Sequence, residues 1–333
     1  MPPIPENPPR VIKKAKKTPT WKKVMGGVWY LCICALVVAL GAGAQWVQRS
    51  PIILEGLLQT ARNQSAEDIF QKDTLTLLVL GCDEDRAYGG KKVLRQYARS
   101  DMMMVAKFDF ENKRVGGVSI PRDLEVDLPG YSGRKINAYH SIGGPELAKA
   151  AAEKVVGVPI DKVVIINYEA FQKMVDAAGG VEIFVPKPMK FTDRRGGLFI
   201  DLKAGRQTLN GYDAMCFVRF RHDALSDFAR QDRQKDFMMA FKETVKKSPD
   251  KFPEVTNRAE EVLNGAMTSS EIAALGRFMQ SVANDNIKMA AVPTLPGRGS
   301  NLNLDYPKLP EILSTTYLTN PLITPSTERV SQR

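Results

Sequence analysis

The segment Val24–Ala44 constrains this chain most: twenty-one residues without a charge, close to the roughly 20 that a helix needs to cross a bilayer. Directly before it, residues 1–23 hold seven Lys or Arg (Arg10, Lys13, Lys14, Lys16, Lys17, Lys22 and Lys23) against Glu6, a local charge of +6. Lys and Arg collect on the cytoplasmic side of a spanning helix. The pattern therefore predicts a cytoplasmic head at 1–23, a transmembrane helix at 24–47 and an extracytoplasmic remainder. A cleaved leader is the competing reading, because Ala42-Gly43-Ala44 has the A-x-A form, but the apolar run exceeds the usual roughly 7–15 residues of a leader's hydrophobic part. A buried core helix would show a polar face somewhere, and this segment has none.

The head also changes the meaning of the net charge. Of the formal +10 for 333 residues, only +4 remains once the head is set aside, so the charge reads as a topology signal and not as a nucleic-acid surface. Composition excludes further classes. Four cysteines (Cys32, Cys34, Cys82 and Cys216) without zinc spacing cannot form a disulfide framework or a zinc finger. With only His140 and His222, a multi-histidine metal centre has no ligands, and chemistry falls to carboxylates and arginines. No Walker A or G-x-G-x-x-G run is present, so ATP and dinucleotide use lack support. Cys82 and Cys216 both fall near predicted strand ends outside the membrane, and whether they pair is left open by the sequence.

Beyond the anchor, residues 48–72 read as a polar helical stalk, and the pattern then turns to strands. Thr74–Cys82 is a continuous apolar run ending in Gly-Cys, a buried central strand. Met102–Phe108 and Val115–Ile120 flank a turn and predict a hairpin. Helices are expected at Pro145–Val156, Glu169–Ala178, Asp227–Lys247 and Ser270–Val282, and strands at Val163–Ile166, Val181–Val185, Met215–Arg221 and Ile287–Val292. Alternation of this kind predicts one α/β domain at 73–318, a three-layer α/β/α sandwich on a central mixed sheet, followed by a flexible tail at 319–333.

Three groups of residues could carry chemistry. If Cys216–Arg221 is a strand, Phe217, Arg219 and Arg221 share one face, and two buried guanidinium groups need carboxylates or a bound anion; a strand end reaching solvent would also satisfy them. On the following helix Asp227, Arg230 and Gln234 fall on one side, continued by Phe237, Met238 and Phe241. That stripe suits an anionic head and a hydrocarbon tail, although an ordinary amphipathic helix has the same look. The third group lies at strand ends: Asp83, Arg99 and Asp101, Arg122 and Asp123 after Val115–Ile120, then Lys135. Two carboxylates beside arginines suggest Mg²⁺ shared with phosphate oxygens, while turn and capping roles are the alternative for Asp83 and Asp101.

The order of LLVLGCD (77–83), RSDMMMV (99–105), SIPRD (119–123), KINAYHSIGGPE (135–146), YEAF (168–171), VDAAGGVEIFVP (175–186) and FVRFRHDALSDFARQDRQKDF (217–237) resembles the LytR-CpsA-Psr family over essentially all of 73–318. The resemblance implies a membrane-anchored extracytoplasmic phosphotransferase of α/β/α fold. Such an enzyme takes a glycopolymer carried on polyprenyl pyrophosphate, joins it to peptidoglycan through a phosphodiester and releases polyprenyl phosphate. It further implies Mg²⁺ on Asp83 and Asp101, and a pyrophosphate clamp of Arg122, Arg219, Arg221, Arg230 and Gln234. Lys135 and Arg99 become additional anion contacts. Asp123 and Asp227 orient arginines or assist proton transfer, and Phe237, Met238 and Phe241 line the lipid site. Cys82 stands where the family usually has a hydroxyl residue, and a basic, Tyr-containing insertion (RAYGGKKVLRQYAR, 86–99) separates the two aspartates. A membrane-bound regulator and a polyprenyl-pyrophosphate hydrolase are the other readings; residues alone do not separate transferase from hydrolase.

Overall fold

The structure, a computed structural model, describes residues 50–82, 99–193, 198–220, 226–248, 250–263 and 265–319, with the backbone alone at 101, 193 and 226–232. The head, the apolar run, Asp83, Arg221 and most of the tail lie outside the described residues. Among the described residues no helix is long and apolar enough to cross a membrane.

Two helices come first, α1 (Pro51–Ala61) and α2 (Ala66–Phe70). They correct the reading of 48–72 as a separate stalk. Ile52 and Ile53 are buried, the Ser50 hydroxyl bonds that of Thr256 at 2.9 Å, and Gln59 donates to the Ser270 carbonyl at 2.8 Å. The segment is apolar enough on one side to join the core, and the Ser50 hydroxyl and Gln59 amide N–H find partners there.

The chain then builds β1 (Thr74–Cys82), β2 (Ser100–Asp109), β3 (Arg114–Ser119), the hairpin β4 (Glu125–Leu128) and β5 (Tyr131–Lys135), α3 (Asn137–Val156), β6 (Lys162–Asn167) and α4 (Tyr168–Ala177). A smaller lobe follows: β7 (Val181–Val185), β8 (Met189–Asp193), β9 (Leu198–Leu202), β10 (Gly205–Leu209) and α5 (Gly211–Arg219). Last come α6 (Ser226–Lys247), α7 (Phe252–Leu263), α8 (Ser269–Ser281), β11 (Ile287–Ala291), the short pair β12 (Thr294–Pro296) and β13 (Leu302–Leu304), and α9 (Leu309–Thr315).

The central sheet has the order β11-β3-β2-β1-β6. It is mixed as expected: β2 runs antiparallel to β1 and β3, while β6 lies parallel to β1 and β11 parallel to β3. Strand alternation divides the burial of β1 between two layers. Leu78 and Leu80 pack with Val105 and Val118 under Ala148, Ala151, Ala152 and Val155 of α3, where small residues let the helix approach the sheet. Leu75 and Leu77 face the other way, with Phe108 and Val115, onto Ile272, Ala274 and Phe278 of α8. The smaller lobe has its own core, in which Val181, Ile183, Leu198 and Ile200 meet Ala214, Phe217 and Phe237. Gly143 and Gly144 break α3 just before Pro145, with Gly144 at φ 70°, so the regular helix begins at the predicted proline.

One expected strand is a helix. Residues 211–219 form α5, capped by Asn210, whose side chain accepts from the Asp213 amide at 2.8 Å. The run GYDAMCFVR holds β-favouring Cys, Phe and Val near its end, but the Asn cap with Asp in the first turn is a helix start. The two-sided strand argument for Arg219 and Arg221 therefore fails. At about 100° per residue, Phe217 and Arg219 diverge; Phe217 is buried and Arg219 is not.

Lys162 of β6 ties the sheet to α8 by donating to both Glu271 carboxylate oxygens at 2.8 and 2.9 Å. Glu271 also closes the capping box of α8 with Thr268. Burial alone would raise the Glu271 pKa, but bonds from Lys162 and Thr268 outweigh it and hold the carboxyl below its ordinary value. A depressed folded pKa stabilises above the unfolded value and is lost as pH falls through the folded one. Glu271→Gln is thus expected to cost about 1–2 kcal/mol at neutral pH. The cost should shrink as pH falls from neutral through the depressed folded pKa, a trend that urea titrations at a series of pH values would read.

Candidate active site

Four parallel strands end at one edge of the sheet, and β2 begins there. Cys82 pairs with Ser100 and Asn167, and Ala291 with Ser119. A register shift between Gly81 and Cys82 leaves Asp101 as the extra residue, flanked by Met102 opposite Gly81 and Ser100 opposite Cys82. Bulges of this kind re-aim a side chain at the rim of a sheet. The predicted placement of Asp101 and Arg122 at one edge is what the topology gives; Asp83 directly follows β1 and lies outside the described residues.

Beside this edge a cavity of about 520 Å³ opens between the sheet and the smaller lobe, within the size range of small-molecule sites. Its floor is Val79, Gly81, Met102, Met104, Ile166 and Met289. Gly81 keeps the floor low, since a Cβ there would lie 2.9 Å from that of Met102. The walls come from α4 (Phe171, Met174), α5 (Met215, Val218), the β8–β9 hairpin (Phe191, Leu198) and α6 (Phe237, Met238, Phe241). Rings line one wall: Phe171 and Phe237 meet at a tilt with centroids 5.0 Å apart, and Phe237 stacks on Phe241 at 5.9 Å. Among the described residues, Arg122, Arg219, Gln234 and Tyr168 are the lining residues with polar side-chain groups. The helical spacing of Gln234, Phe237, Met238 and Phe241, read from the sequence as a polar-to-apolar stripe, does line one site.

Each polar group is positioned by local structure. Arg122 follows β3 in a turn closed by the Leu124 amide on the Pro121 carbonyl at 3.0 Å. Its Nε lies 3.5 Å from Asp123 Oδ2, while Lys135 holds Asp123 Oδ1 at 2.6 Å and bonds Ser300 Oγ at 2.8 Å. Asp123 thus stands between two cations. Lys135 is not among the cavity-lining residues and reaches the clamp through Asp123; Arg99 is exposed ahead of β2 and does not line the cavity. Arg219, at the last turn of α5, has its guanidinium carbon 4.0 Å from the centroid of the Tyr168 ring. Tyr168→Ala is expected to weaken binding of a pyrophosphate anion at this cavity about 5- to 10-fold through loss of this cation–π contact, with Tyr168→Phe unchanged, as titration calorimetry with inorganic pyrophosphate on the two variants would show. Asp227 and Arg230 belong to α6, at positions where the backbone alone is described.

Sequence reading missed Arg233. It is 5% exposed, donates to the Phe220 carbonyl and lies 5.5 Å from the Phe220 ring, so it fixes the chain just after Arg219. Its signal was an arginine one residue before Gln234 on a helix whose neighbouring turn is apolar. Cys82 and Cys216 lie in different cores and are not joined by a disulfide. Cys82 Sγ lies 3.6 Å from His140 Nδ1, and burial pushes the Cys216 thiol up to about 11. The raised pKa disfavours the Cys216 thiolate as a nucleophile.

The site is thus an apolar cavity in a mixed α/β sandwich, with Arg122 and Arg219 in its lining. The LytR_cpsA_psr family model matches residues 55–314, and the chain belongs to that family. It is 32% identical over 223 residues to the regulatory protein MsrR of Staphylococcus aureus (strain COL), covering 66% of this chain and 64% of MsrR. The chain thus spans just under two thirds of that relative's length. It is 29% identical over 314 residues to the polyisoprenyl-teichoic acid–peptidoglycan teichoic acid transferase TagT of Bacillus subtilis (strain 168), covering 90% of this chain and 94% of TagT. The crystal structure of B. subtilis TagV superimposes with a TM-score of 0.58 at 27% identity, over 74% of this chain and 97% of that one.

Proposed function

We propose that this protein is an extracytoplasmic phosphotransferase that moves a glycopolymer from polyprenyl pyrophosphate to peptidoglycan. The observation that carries this reading is the cavity: hydrocarbon-lined along Phe171, Phe237 and Phe241, with Arg122, Arg219 and Gln234 contributing polar groups. A polyprenyl tail needs the first and a pyrophosphate the second. The likeness to TagT, named as a transferase from polyisoprenyl-linked teichoic acid to peptidoglycan, supports the same substrate pair.

In the proposed reaction a peptidoglycan hydroxyl attacks the phosphorus that bears the glycan. A new O–P bond forms, the P–O bond to the bridging oxygen breaks, polyprenyl phosphate leaves and the hydroxyl proton passes to a base. Phosphoryl transfer needs positioning and neutralisation of oxygen charge above all. Arg122 and Arg219 supply both, with Arg221 and Arg230 as further clamp residues by the family resemblance. Asp123, shared by Lys135 and Arg122, and Asp227 orient arginines or take the hydroxyl proton, by the family resemblance. The donor set of Asp83 and Asp101 is carboxylate oxygen alone, which suits Mg²⁺; when bound, the ion would neutralise pyrophosphate charge. Membrane anchoring through 24–47, with 1–23 cytoplasmic, would keep the domain beside a substrate confined to the bilayer.

The test is incubation of the full-length protein with a polyprenyl-pyrophosphate glycan, Mg²⁺ and a peptidoglycan oligomer, followed by mass spectrometry. A phosphodiester-linked product supports the transferase. Free glycan phosphate alone would move the assignment to a hydrolase, and bound but unchanged lipid would favour a regulatory role, the function in the name of MsrR.

A further inference from the structure

Helix α1 buries one side and presents hydrocarbon on the other. At about 100° per residue, Leu57, Ala61, Leu54 and Leu58 occupy one continuous arc, and Leu57, Leu54 and Leu58 are 51%, 44% and 36% exposed. An ordinary surface helix carries polar residues there. The one charged residue of α1, Glu55, is rotated by about 100° from Leu54. Ile52, on the inner side, belongs to the apolar cluster on which Met238 packs, and Met238 also lines the cavity.

Position in the chain says what covers this arc. Pro51 is seven residues beyond Ala44, the end of the apolar run, a separation that even a fully extended chain spans in at most about 25 Å. The intervening QWVQR carries Trp46 and Arg49, residue types enriched where chain meets lipid headgroups. We propose that α1 lies on the outer surface of the bilayer with Leu54, Leu57 and Leu58 inserted among the acyl chains. The domain would then be held by two lipid contacts, the anchor and α1. The inference rests on the reading of Val24–Ala44 as a membrane span. Three exposed leucines on a short helix bind lipid weakly alone, but tethering raises their effective concentration at the surface.

Depth-dependent quenching tests this on the full-length chain with Trp21, Trp29 and Trp46 replaced by Phe, reconstituted in vesicles of phosphatidylcholine and phosphatidylglycerol. One form carries Leu57→Trp. The other carries Tyr306→Trp, at a residue 69% exposed beside Leu304 and Leu309, which pack in the core on the opposite sheet face. Lipids brominated on their acyl chains are expected to quench the indole of the Leu57→Trp form at least about threefold more than that of the Tyr306→Trp form. Adding Leu54→Glu and Leu58→Glu should abolish the difference while circular dichroism stays unchanged. Equal, weak quenching in both forms, in vesicles that float with bound protein, would overturn the α1 contact and leave the anchor standing. Protein that fails to float with the vesicles would overturn the anchor and this inference together. Shielding of the indole in the Leu57→Trp form without bromolipid quenching, accompanied by cross-linked dimers, would assign the arc to a second copy and refute the bilayer contact.

Discussion

Arg122→Ala is expected to lower transfer of the glycopolymer by about 10²- to 10³-fold, the loss typical when one preorganised donor to a developing oxyanion is removed. Stability should hardly change. The side chain is 39% exposed, so truncation strands no buried charge, and Asp123 keeps its 2.6 Å partner Lys135. A point charge cannot replace the planar fork of a guanidinium, so Arg122→Lys should recover only a part of the lost rate. Rates and thermal unfolding measured on the same preparations separate this from a folding defect. Activity within a few-fold of the wild type for Arg122→Ala would remove Arg122 from the clamp. So would an unfolded variant, because it would assign the residue to structure.

Why Arg122 could be picked out from sequence, while the context of Arg219 could not, follows from the physics of each segment. Arg122 comes straight after a buried β-rich run, and parallel strands ending at one edge place such residues at a ligand site whatever their detailed packing. Thr74–Cys82 was legible for a related reason: burial on both faces gives a nearly continuous apolar run, and its bounds match the observed strand. Arg219 lies in GYDAMCFVR, where local signals conflict. Cys216, Phe217 and Val218 suggested alternation, whereas one cap at Asn210 decided for helix; tertiary burial of Ala214, Met215, Cys216 and Phe217 completes it. Arg219 still reaches the cavity, but for a different cause, its stacking on Tyr168. Arg233 was invisible because its role depends on the Phe220 carbonyl thirteen residues away, a contact no local period encodes. The arc on α1 was equally hidden, since which side of a leucine-rich helix is buried depends on α8, more than two hundred residues later.

Met174→Trp probes the cavity and should separate the two halves of the substrate. Met174 lines the cavity from α4, together with Phe171, Phe237 and Phe241. It lies six residues beyond Tyr168, the partner of Arg219, or about 9 Å along the helix axis. A larger indole there would displace three or four methylene groups of a bound tail. At about 0.8 kcal/mol per buried methylene, the loss is about 3 kcal/mol, or roughly 10²-fold in affinity. A water-soluble sugar pyrophosphate without the tail is held by the clamp, which among the described residues includes Arg122, Arg219 and Gln234, so its affinity should stay within about twofold. Titration calorimetry with the long-chain and tail-less ligands reads both arms on one preparation. Equal weakening of both would mean that the indole had disturbed the clamp itself, and undiminished binding of the long-chain ligand would place the tail somewhere other than between α4 and α6. The selective outcome is expected because β1, β2 and β6 fix the floor, so the added volume can be accommodated only by excluding ligand, while Arg122 and Arg219 are held from β3's end and α5, elements that Met174 does not belong to.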